Sequence, residues 1–221
     1  SAQQKQEYRN KMWRNFCVSD TYEPGSTFKI ITACAALEAG VVTEQDPFYC
    51  PGFKIVEDRR IRCHKTKGHG SETFAQGFAN SCNPVFMEVG ARVGVPRFFE
   101  YLRQFEIMKH TGIDVPGEAG TIMHEQKRVG NVELATMSFG QSFQISPVRL
   151  MSTISSLING GISVTPHFGV AVESSDGSSV TKIRYPEGKR VVSEKTSKTI
   201  RGLLGKVVEE GSGSKAAVEG Y

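Results

Sequence analysis

Apolar residues recur at helical spacing in several stretches of the chain, most of them bounded by glycine, proline or small polar residues. A spacing of three to four residues places apolar side chains on one face of a helix. The pattern predicts helices over residues 26–39, 73–90, 96–105, 132–140, 146–159 and 193–210. Gly40 ends the first helix, and the second breaks or restarts near Asn83-Pro84.

The segments between these helices are rich in turn-forming residues. Two runs, 163–172 and 180–185, predict strands. The stretch 41–62 is irregular, apart from a hairpin centred on Glu57-Asp58. We expect a Gly/Pro loop at 111–120, a loop or helix remnant at 1–16, and a loose tail at 211–221.

Composition and charge narrow the class of protein. A chain of 221 residues with 38% hydrophobic and 23% charged residues is ordinary for one globular domain with room for two lobes. The net charge of +4 is mild and the basic residues are scattered, so we expect no nucleic-acid partner. The densest basic run, residues 59–67, is better explained as a solvated hairpin than as a polyanion site.

The sequence also bears on the cellular compartment. It has no run of eighteen apolar residues and no leader-like start, so we expect the anchor of an exported protein to lie outside it. Five cysteines are an odd number. In an exported protein they allow two disulfides and a spare thiol, or one metal site and two buried thiols.

The pattern Ser-x-x-Lys places a hydroxyl and an amine one helical turn apart. A lysine activates a serine only when its amine is neutral, which burial favours. The pattern occurs three times, at Ser26–Lys29, Ser179–Lys182 and Ser212–Lys215. Only Ser26 follows a Pro-Gly turn and opens an apolar helix. The short pattern alone still leaves a plain helix cap as the alternative for Ser26.

A longer string, Tyr-Glu-Pro-Gly-Ser-Thr-Phe-Lys at residues 22–29, resembles the nucleophile motif of class B penicillin-binding proteins. Three further segments resemble motifs of that family in the same order. They are Asn-Ser-Cys-Asn-Pro at 80–84, Thr-Gly-Ile-Asp-Val-Pro-Gly-Glu at 111–118 and Gly-Gln-Ser-Phe-Gln-Ile-Ser-Pro at 140–147. The resemblance implies the α+β fold shared with serine β-lactamases, in which helices flank an antiparallel sheet beside a mainly helical lobe.

The resemblance also implies catalytic roles for individual residues. Ser26 would be the nucleophile and Lys29 its base. Ser81 would relay protons to the leaving amine, and Asn83 would hold the substrate amide. Backbone N–H groups, including that of Ser26, would stabilise the oxyanion. Because alternate residues of an extended loop point the same way, Ser81 and Asn83 can both face the cleft while Cys82 faces away. The alternative is that Ser81 and Asn83 only cap the helix after Pro84.

One element of the family's site has no counterpart in this sequence. The family has a strand with a Lys-Thr/Ser-Gly triplet, which residues 1–221 lack. His-Thr-Gly at 110–112 belongs to the loop described above, and residues 217–221 resemble the stretch that precedes the missing strand. We therefore expect residues 1–221 to be a transpeptidase domain without its N-terminal strands and its C-terminal strand, and turnover by this piece alone is in doubt.

Cysteine and histidine cluster between residues 50 and 82. Structural zinc takes four thiolate or imidazole ligands, and Cys50, Cys63, His69 and Cys82 could supply them. Some transpeptidases of the resembled class carry zinc ligands in this region. His64 is the alternative imidazole, and a Cys50–Cys63 disulfide is the alternative to a metal. The other two cysteines are expected to be free thiols, with one, at position 34, packed in the core.

These features together predict a peptidoglycan D,D-transpeptidase that β-lactams inactivate. It would need no cofactor for acyl transfer. Its partners would be stem peptides, β-lactams and a membrane glycosyltransferase, and it would be anchored at the extracytoplasmic face of the membrane. The cysteine-rich insert favours a sporulation or division role. The alternatives are a β-lactam sensor, a scaffolding pseudoenzyme, and a serine β-lactamase, which normally has Ser-x-Val where this chain has Ser-Cys-Asn.

Overall fold

The computed structural model describes residues 1–219. These residues form nine α-helices: α1 (Ala2–Trp13), α2 (Phe16–Ser19), α3 (Lys29–Glu38), α4 (Phe74–Ala79), α5 (Asn83–Val93), α6 (Val95–Gln104), α7 (Asn131–Met137), α8 (Pro147–Ile158) and α9 (Glu194–Glu209). Short 3-10 turns lie at Gly25–Phe28, Gln126–Arg128 and Ser214–Ala216. Over this range no helix is both long enough and apolar enough to cross a bilayer.

The strands pair two by two in antiparallel ladders. They are β1 (Pro47–Cys50) with β4 (Gly70–Thr73), β2 (Phe53–Val56) with β3 (Arg59–Arg62), and β5 (Ala171–Glu173) with β6 (Val180–Lys182). Helices combined with antiparallel strands confirm the predicted α+β class.

Helix α3 lies at the centre of the core. Helices α5, α6, α8 and α9 pack against it, and most of its residues are buried. Its alanines, Ala33, Ala35 and Ala36, let these neighbours approach closely and are at most 2% exposed. Because the core encloses the first turn of α3, Lys29 is buried there, only 3% exposed.

Most predicted helices occur within a few residues of the expected bounds. The break at Asn83-Pro84 is confirmed, because α5 begins there. Proline suits the first turn of a helix, where its missing N–H has no intrahelical partner to lose. The predicted hairpin is also confirmed, with Glu57 in the left-handed region (φ 54°) between β2 and β3.

Three predictions needed correction. Residues 26–28 form a 3-10 turn, and the α-helix starts at Lys29. The predicted strand 163–172 shrinks to Ala171–Glu173, because the amides of Phe168 and Gly169 donate to Asp114 and not to a strand. In the stretch expected to be irregular, Pro47–Cys50 forms β1, whose partner lies twenty residues further along the chain.

The tail is only partly described. Its 3-10 turn at Ser214–Ala216 packs against α9. Of the stretch 217–221, which we expected to precede a strand, Gly220 and Tyr221 lie outside the described residues.

Candidate active site

Ser26 and Lys29 lie where the 3-10 turn passes into α3. The exposed Ser26 is on the turn, and the buried Lys29 is the first residue of the helix. Lys29 Nζ lies 3.3 Å from Ser26 Oγ. The predicted pair is therefore assembled, with the hydroxyl open to solvent and the amine enclosed by the core.

A close backbone approach fixes the nucleophile turn, which we define as residues 22–28. The amide of Gly25 donates to the carbonyl of Gly140 at 2.9 Å. Gly140 has φ +85°, and a Cβ built on it would lie 2.0 Å from the carbonyl oxygen of Gly25. No other residue type fits at position 140 without moving the backbone next to Ser26.

Side-chain and backbone contacts extend this attachment along the segment 140–147. Tyr22 and Ile145 exchange two backbone hydrogen bonds of 3.0 and 3.1 Å. Glu23 Oε1 accepts from the amide of Ser142 at 2.8 Å. The segment 140–147, one of the four that resemble motifs of the family, thus supports the nucleophile turn.

The Ser-x-Asn loop, residues 80–83, contacts Lys29 Nζ, which also lies beside Ser26. This nitrogen donates to Ser81 Oγ at 2.9 Å, to the Ser81 carbonyl at 2.6 Å and to Asn83 Oδ1 at 2.7 Å. Asn83 Nδ2 donates to the carbonyl of Arg62 at 3.3 Å. All four residues predicted for catalysis therefore converge on one amine, and Cys82 is buried behind them.

Burial sets the electrostatics of this amine. Removal from water lowers the pKa of Lys29 to about 8, although negative charge at Cys82 and Cys63 acts in the opposite direction. The ring of Phe86 lies 5.4 Å below Nζ and helps to exclude water. A neutral amine is therefore accessible near physiological pH.

Residues that the sequence analysis did not single out complete the pocket beside Ser26. The pocket has a volume of about 210 Å³, and Leu204 and Val207 of α9 line it together with Ile30 and Phe78. The apolar stripe of α9 was visible in the sequence. Its position against the site was not, because no local pattern reports which helix packs where.

The four predicted metal ligands also come together. The ligand atoms of Cys50, Cys63, His69 and Cys82 all lie within 4.8 Å of one another, and we call these four residues the ligand cluster. All three cysteines are at most 2% exposed. A Cβ on Gly68 would lie 2.3 Å from the Cys50 carbonyl, so only glycine lets His69 approach there.

The donor set fits zinc. Three thiols and one imidazole form the Cys3His set of many structural zinc sites, and His69 lies beside the Cys63 sulfur. His64 Nδ1 lies 3.8 Å from the same sulfur, but His64 is exposed. Cys50 and Cys63 are free thiols among the described residues, and the disulfide stays the alternative to a metal.

The Thr-Gly-Ile-Asp loop has a different task. Asp114 accepts from the amides of Phe168 and Gly169 at 2.9 and 2.7 Å and from the Tyr185 hydroxyl at 2.8 Å. These donors lower the pKa of Asp114 to about 2. The loop therefore braces the segment that carries β5 and β6.

The other two Ser-x-x-Lys matches and the other two cysteines lie outside the contacts of Lys29. Ser179 and Lys182 lie at an exposed hairpin. Ser212 lines the pocket edge and donates to the Ala79 carbonyl, and its partner in the pattern, Lys215, lies in the 3-10 turn beyond. Cys17 and Cys34 are free thiols, and Cys34 is buried in the core as predicted, whereas Cys17 is exposed and not a buried thiol.

Comparisons with known proteins agree with this geometry. A family model described as "Penicillin binding protein transpeptidase domain" matches residues 1–221. The chain is 44% identical over 210 residues to "Stage V sporulation protein D" of Bacillus subtilis. The aligned region covers 94% of the chain and 32% of that protein. The chain thus spans about a third of the length of the curated relatives it matches.

Solved structures share the fold. Penicillin binding protein 3 from Mycobacterium tuberculosis, complexed with aztreonam, superposes with a TM-score of 0.85 at 29% identity, covering 94% of this chain and 48% of that one. The D,D-transpeptidase domain of a peptidoglycan glycosyltransferase from Eggerthella lenta gives 0.89 at 25% identity, covering 99% and 57%. The chain therefore belongs to the penicillin-binding protein transpeptidase family, in agreement with the class B motifs read from its sequence.

Proposed function

We propose that this protein is a peptidoglycan D,D-transpeptidase that forms an acyl-enzyme on Ser26. One observation carries the proposal. Lys29 Nζ lies within 3.3 Å of Ser26 Oγ and 2.9 Å of Ser81 Oγ, while burial lowers its pKa to about 8. A base with a pKa near the working pH, in contact with two hydroxyls, suits both removal and return of a proton.

The contacts support a specific order of proton transfers. The neutral amine of Lys29 takes the proton of Ser26 Oγ–H as the oxygen attacks the carbonyl of the penultimate D-alanine. The negative charge that develops on the carbonyl oxygen faces backbone N–H groups, one of them from Ser26. The proton then passes through Ser81 to the nitrogen of the terminal D-alanine, which leaves as the C–N bond breaks. An amine of a second stem peptide attacks the resulting ester, and Ser26 regains its proton.

Asn83 suits the role of substrate holder. Its Oδ1 accepts from Lys29, and one hydrogen of Nδ2 goes to the Arg62 carbonyl. A carboxamide has two N–H donors. The second is left for a substrate carbonyl, in an orientation that the other two contacts fix.

Labelling with a fluorescent penicillin tests the function. The full-length protein should form a long-lived covalent adduct that the Ser26→Ala variant does not form. Rapid hydrolysis of the drug without an adduct would indicate a β-lactamase. No adduct in the wild-type protein would indicate a scaffold. A peptide ending in D-Ala-D-Ala separates a transpeptidase from a sensor, because only the enzyme releases D-alanine and joins the peptide to an acceptor amine.

The ligand cluster supports a structural zinc as the finer part of the proposal. Cys50, Cys63, His69 and Cys82 would hold it, and a bound metal would fix Cys82, which stands between Ser81 and Asn83. No acyl-transfer step needs it. About one equivalent of zinc in protein purified without added metal is expected. A mass two hydrogens lower, without metal, would establish a disulfide instead.

Location and partners are proposed from the family. The substrate polymer lies outside the cytoplasm, so the full-length protein would carry an N-terminal membrane anchor and work beside a glycosyltransferase. The full-length protein would also contain the Lys-Thr/Ser-Gly triplet that residues 1–221 lack. The 44% identity to a stage V sporulation protein supports a sporulation role. Protease accessibility of the protein in intact protoplasts tests the location, and the coding sequence after residue 221 tests the triplet.

A further inference from the structure

Glu72 is a buried carboxylate to which the acyl-transfer mechanism gives no role. It lies on β4, opposite Phe48 of β1, and its side chain is 3% exposed. Burying a carboxylate destabilises a fold unless polar groups face it. The groups around Glu72 therefore indicate what it does.

The two oxygens of Glu72 face different parts of the site. Oε2 accepts a hydrogen bond of 3.1 Å from Asn80 Nδ2. Oε1 lies 4.0 Å from His69 Nδ1 and has no hydrogen-bond partner among residues 1–219. Asn80 directly precedes Ser81, and His69 belongs to the ligand cluster. One side chain thus stands between the Ser-x-Asn loop and the ligand cluster.

The contact on the histidine side matches a recurrent need of metal sites. An imidazole that binds a metal through one ring nitrogen is oriented by a carboxylate or carbonyl that accepts from the N–H of its other ring nitrogen. The nitrogen that faces Glu72 is Nδ1, so this role requires His69 to hold the metal through Nε2. The His69 side chain is 6% exposed, so water competes little for its ring. The separation of 4.0 Å is about 1 Å longer than a hydrogen bond.

The contact on the asparagine side acts where the backbone is strained. Ser81 has φ 52°, a left-handed conformation that a serine adopts only when its surroundings hold it. Asn80 caps the C-terminus of α4, and Glu72 holds its carboxamide. The carboxylate is therefore placed to keep the chain in the conformation that directs Ser81 toward Lys29.

We infer that Glu72 is a positioning residue that couples the ligand cluster to the Ser-x-Asn loop, through His69 on one oxygen and Asn80 on the other. The His69 contact rests on the proposed metal site. The Asn80 contact does not, because it is made without a metal. Glu72 touches no substrate and is not a catalytic residue.

The test uses full-length protein carrying Glu72→Gln, Glu72→Ala, Asn80→Ala or the last two changes together, with two readouts: zinc release to a colorimetric chelator, and the rate of acylation by a fluorescent penicillin. Glu72→Gln should release zinc about ten- to hundred-fold faster and acylate more slowly. Asn80→Ala should slow acylation but leave zinc release within about twofold. Glutamine at position 72 keeps an oxygen that can accept from Asn80, so the double variant combines Glu72→Ala with Asn80→Ala. It should acylate no more slowly than the worse of these two single variants, because either change removes the same hydrogen bond.

A matched control separates this effect from a general loss of carboxylates. Glu88 lies on α5, where its Oε2 pairs with Lys54 of β2 at 2.6 Å. Glu88→Gln should change neither readout. If Glu72→Gln does not fold, Asn80→Asp replaces it. This change sets two carboxylates against each other and should slow acylation more than Asn80→Ala.

The His69 contact, the Asn80 contact and the metal site can each be refuted separately. Wild-type zinc release from Glu72→Gln overturns the His69 contact. Acylation effects that multiply in the double variant, or equal effects of Asn80→Asp and Asn80→Ala, overturn the Asn80 contact. If the wild-type protein contains no zinc, the proposed metal site is refuted. The acylation rates of the single and double variants then test the Asn80 contact by themselves.

Discussion

The nucleophile turn and the Ser-x-Asn loop meet at Lys29, yet they are held in place by different means. The turn is fixed by backbone hydrogen bonds to the segment 140–147 and by apolar packing. Phe28 is fully buried with its ring 4.6 Å from that of Phe143. The loop is flanked by thiols, an imidazole and a carboxylate, and it contains a strained Ser81.

The difference teaches that the two halves of the site depend on different conditions. Apolar packing and backbone hydrogen bonds persist over a wide range of pH, oxidant and chelator. A cluster of three cysteines and a histidine depends on metal occupancy and on the state of its thiols. The nucleophile side should therefore stay in place under treatments that disturb the Ser81 side.

The largest effect is expected at the point where the two halves meet. Lys29→Ala should slow acylation by penicillin about 10²- to 10⁴-fold, because it removes the general base. Lys29→Arg should lose about as much, since a guanidinium keeps its proton. Rapid-quench labelling measures the rate. Lys54→Ala, which removes a lysine paired with Glu88 away from the site, is the control. Near-normal acylation by Lys29→Arg would refute the role of Lys29 as a base.

Gly140→Ala tests how the nucleophile turn is held in place. The new Cβ would meet the Gly25 carbonyl oxygen at 2.0 Å, so the turn must shift. We expect a loss of at least about 2 kcal/mol in the free energy of unfolding, together with slower acylation. Gly40→Ala is the matched control, because φ is also positive there but nothing lies within 4 Å of its Cβ. It should cost about 1 kcal/mol and leave acylation unchanged. Equal effects of the two variants in denaturant melts would contradict the support role of Gly140.

Cys82→Ser tests how the ligand cluster holds the Ser-x-Asn loop in place. It should weaken zinc binding and slow acylation about ten- to hundred-fold, with a lower melting temperature. Chelation of the wild-type protein should produce a similar loss of acylation and should add little to the variant. Cys34→Ser serves as the control, because Cys34 is buried in α3 outside the ligand cluster. If Cys82→Ser acylates normally, the loop does not depend on the cluster.

The mildest perturbation is a change of pH by one unit, which alters no residue. Burial lowers the pKa of Lys29 to about 8, so the amine is protonated and inactive at lower pH. Acylation should rise about tenfold per pH unit up to pH 8 and then level off. Rates measured from pH 6 to 9.5 give the profile. A rate that still rises about tenfold per unit at pH 9.5, towards the ordinary lysine pKa of about 10.4, would mean that the amine is not desolvated.

Much of the site could be predicted from local sequence. Ser26 and Lys29 are three residues apart on a helical turn, so they face one way whatever the rest of the fold does. Ser81 and Asn83 both reach Lys29 as expected, but not along an extended loop, because Ser81 is left-handed (φ 52°) and Asn83 begins α5. The break before α5 was visible because proline has only a few places in a helix. Local patterns fix local geometry.

The contacts between distant segments could not be predicted in the same way. The approach of Gly140 to Gly25 spans more than a hundred residues, and glycine at position 140 gave no hint of its partner. Strand β1 was missed because its ladder forms with β4, beyond an intervening hairpin. Glu72 was missed because one carboxylate in a short strand has no periodic signal. Its role depends on two side chains that only the folded chain brings near it.

The hydrogen inventory of Lys29 has a consequence for the first chemical step. Its Nζ contacts four oxygens, but an ammonium has only three hydrogens to give. A neutral amine has two hydrogens and a lone pair. Two of the four oxygens, Ser26 Oγ and Ser81 Oγ, are hydroxyls that can reverse direction and donate to the lone pair. Loss of one proton therefore creates a base to which either serine can turn its hydrogen without any movement of the backbone.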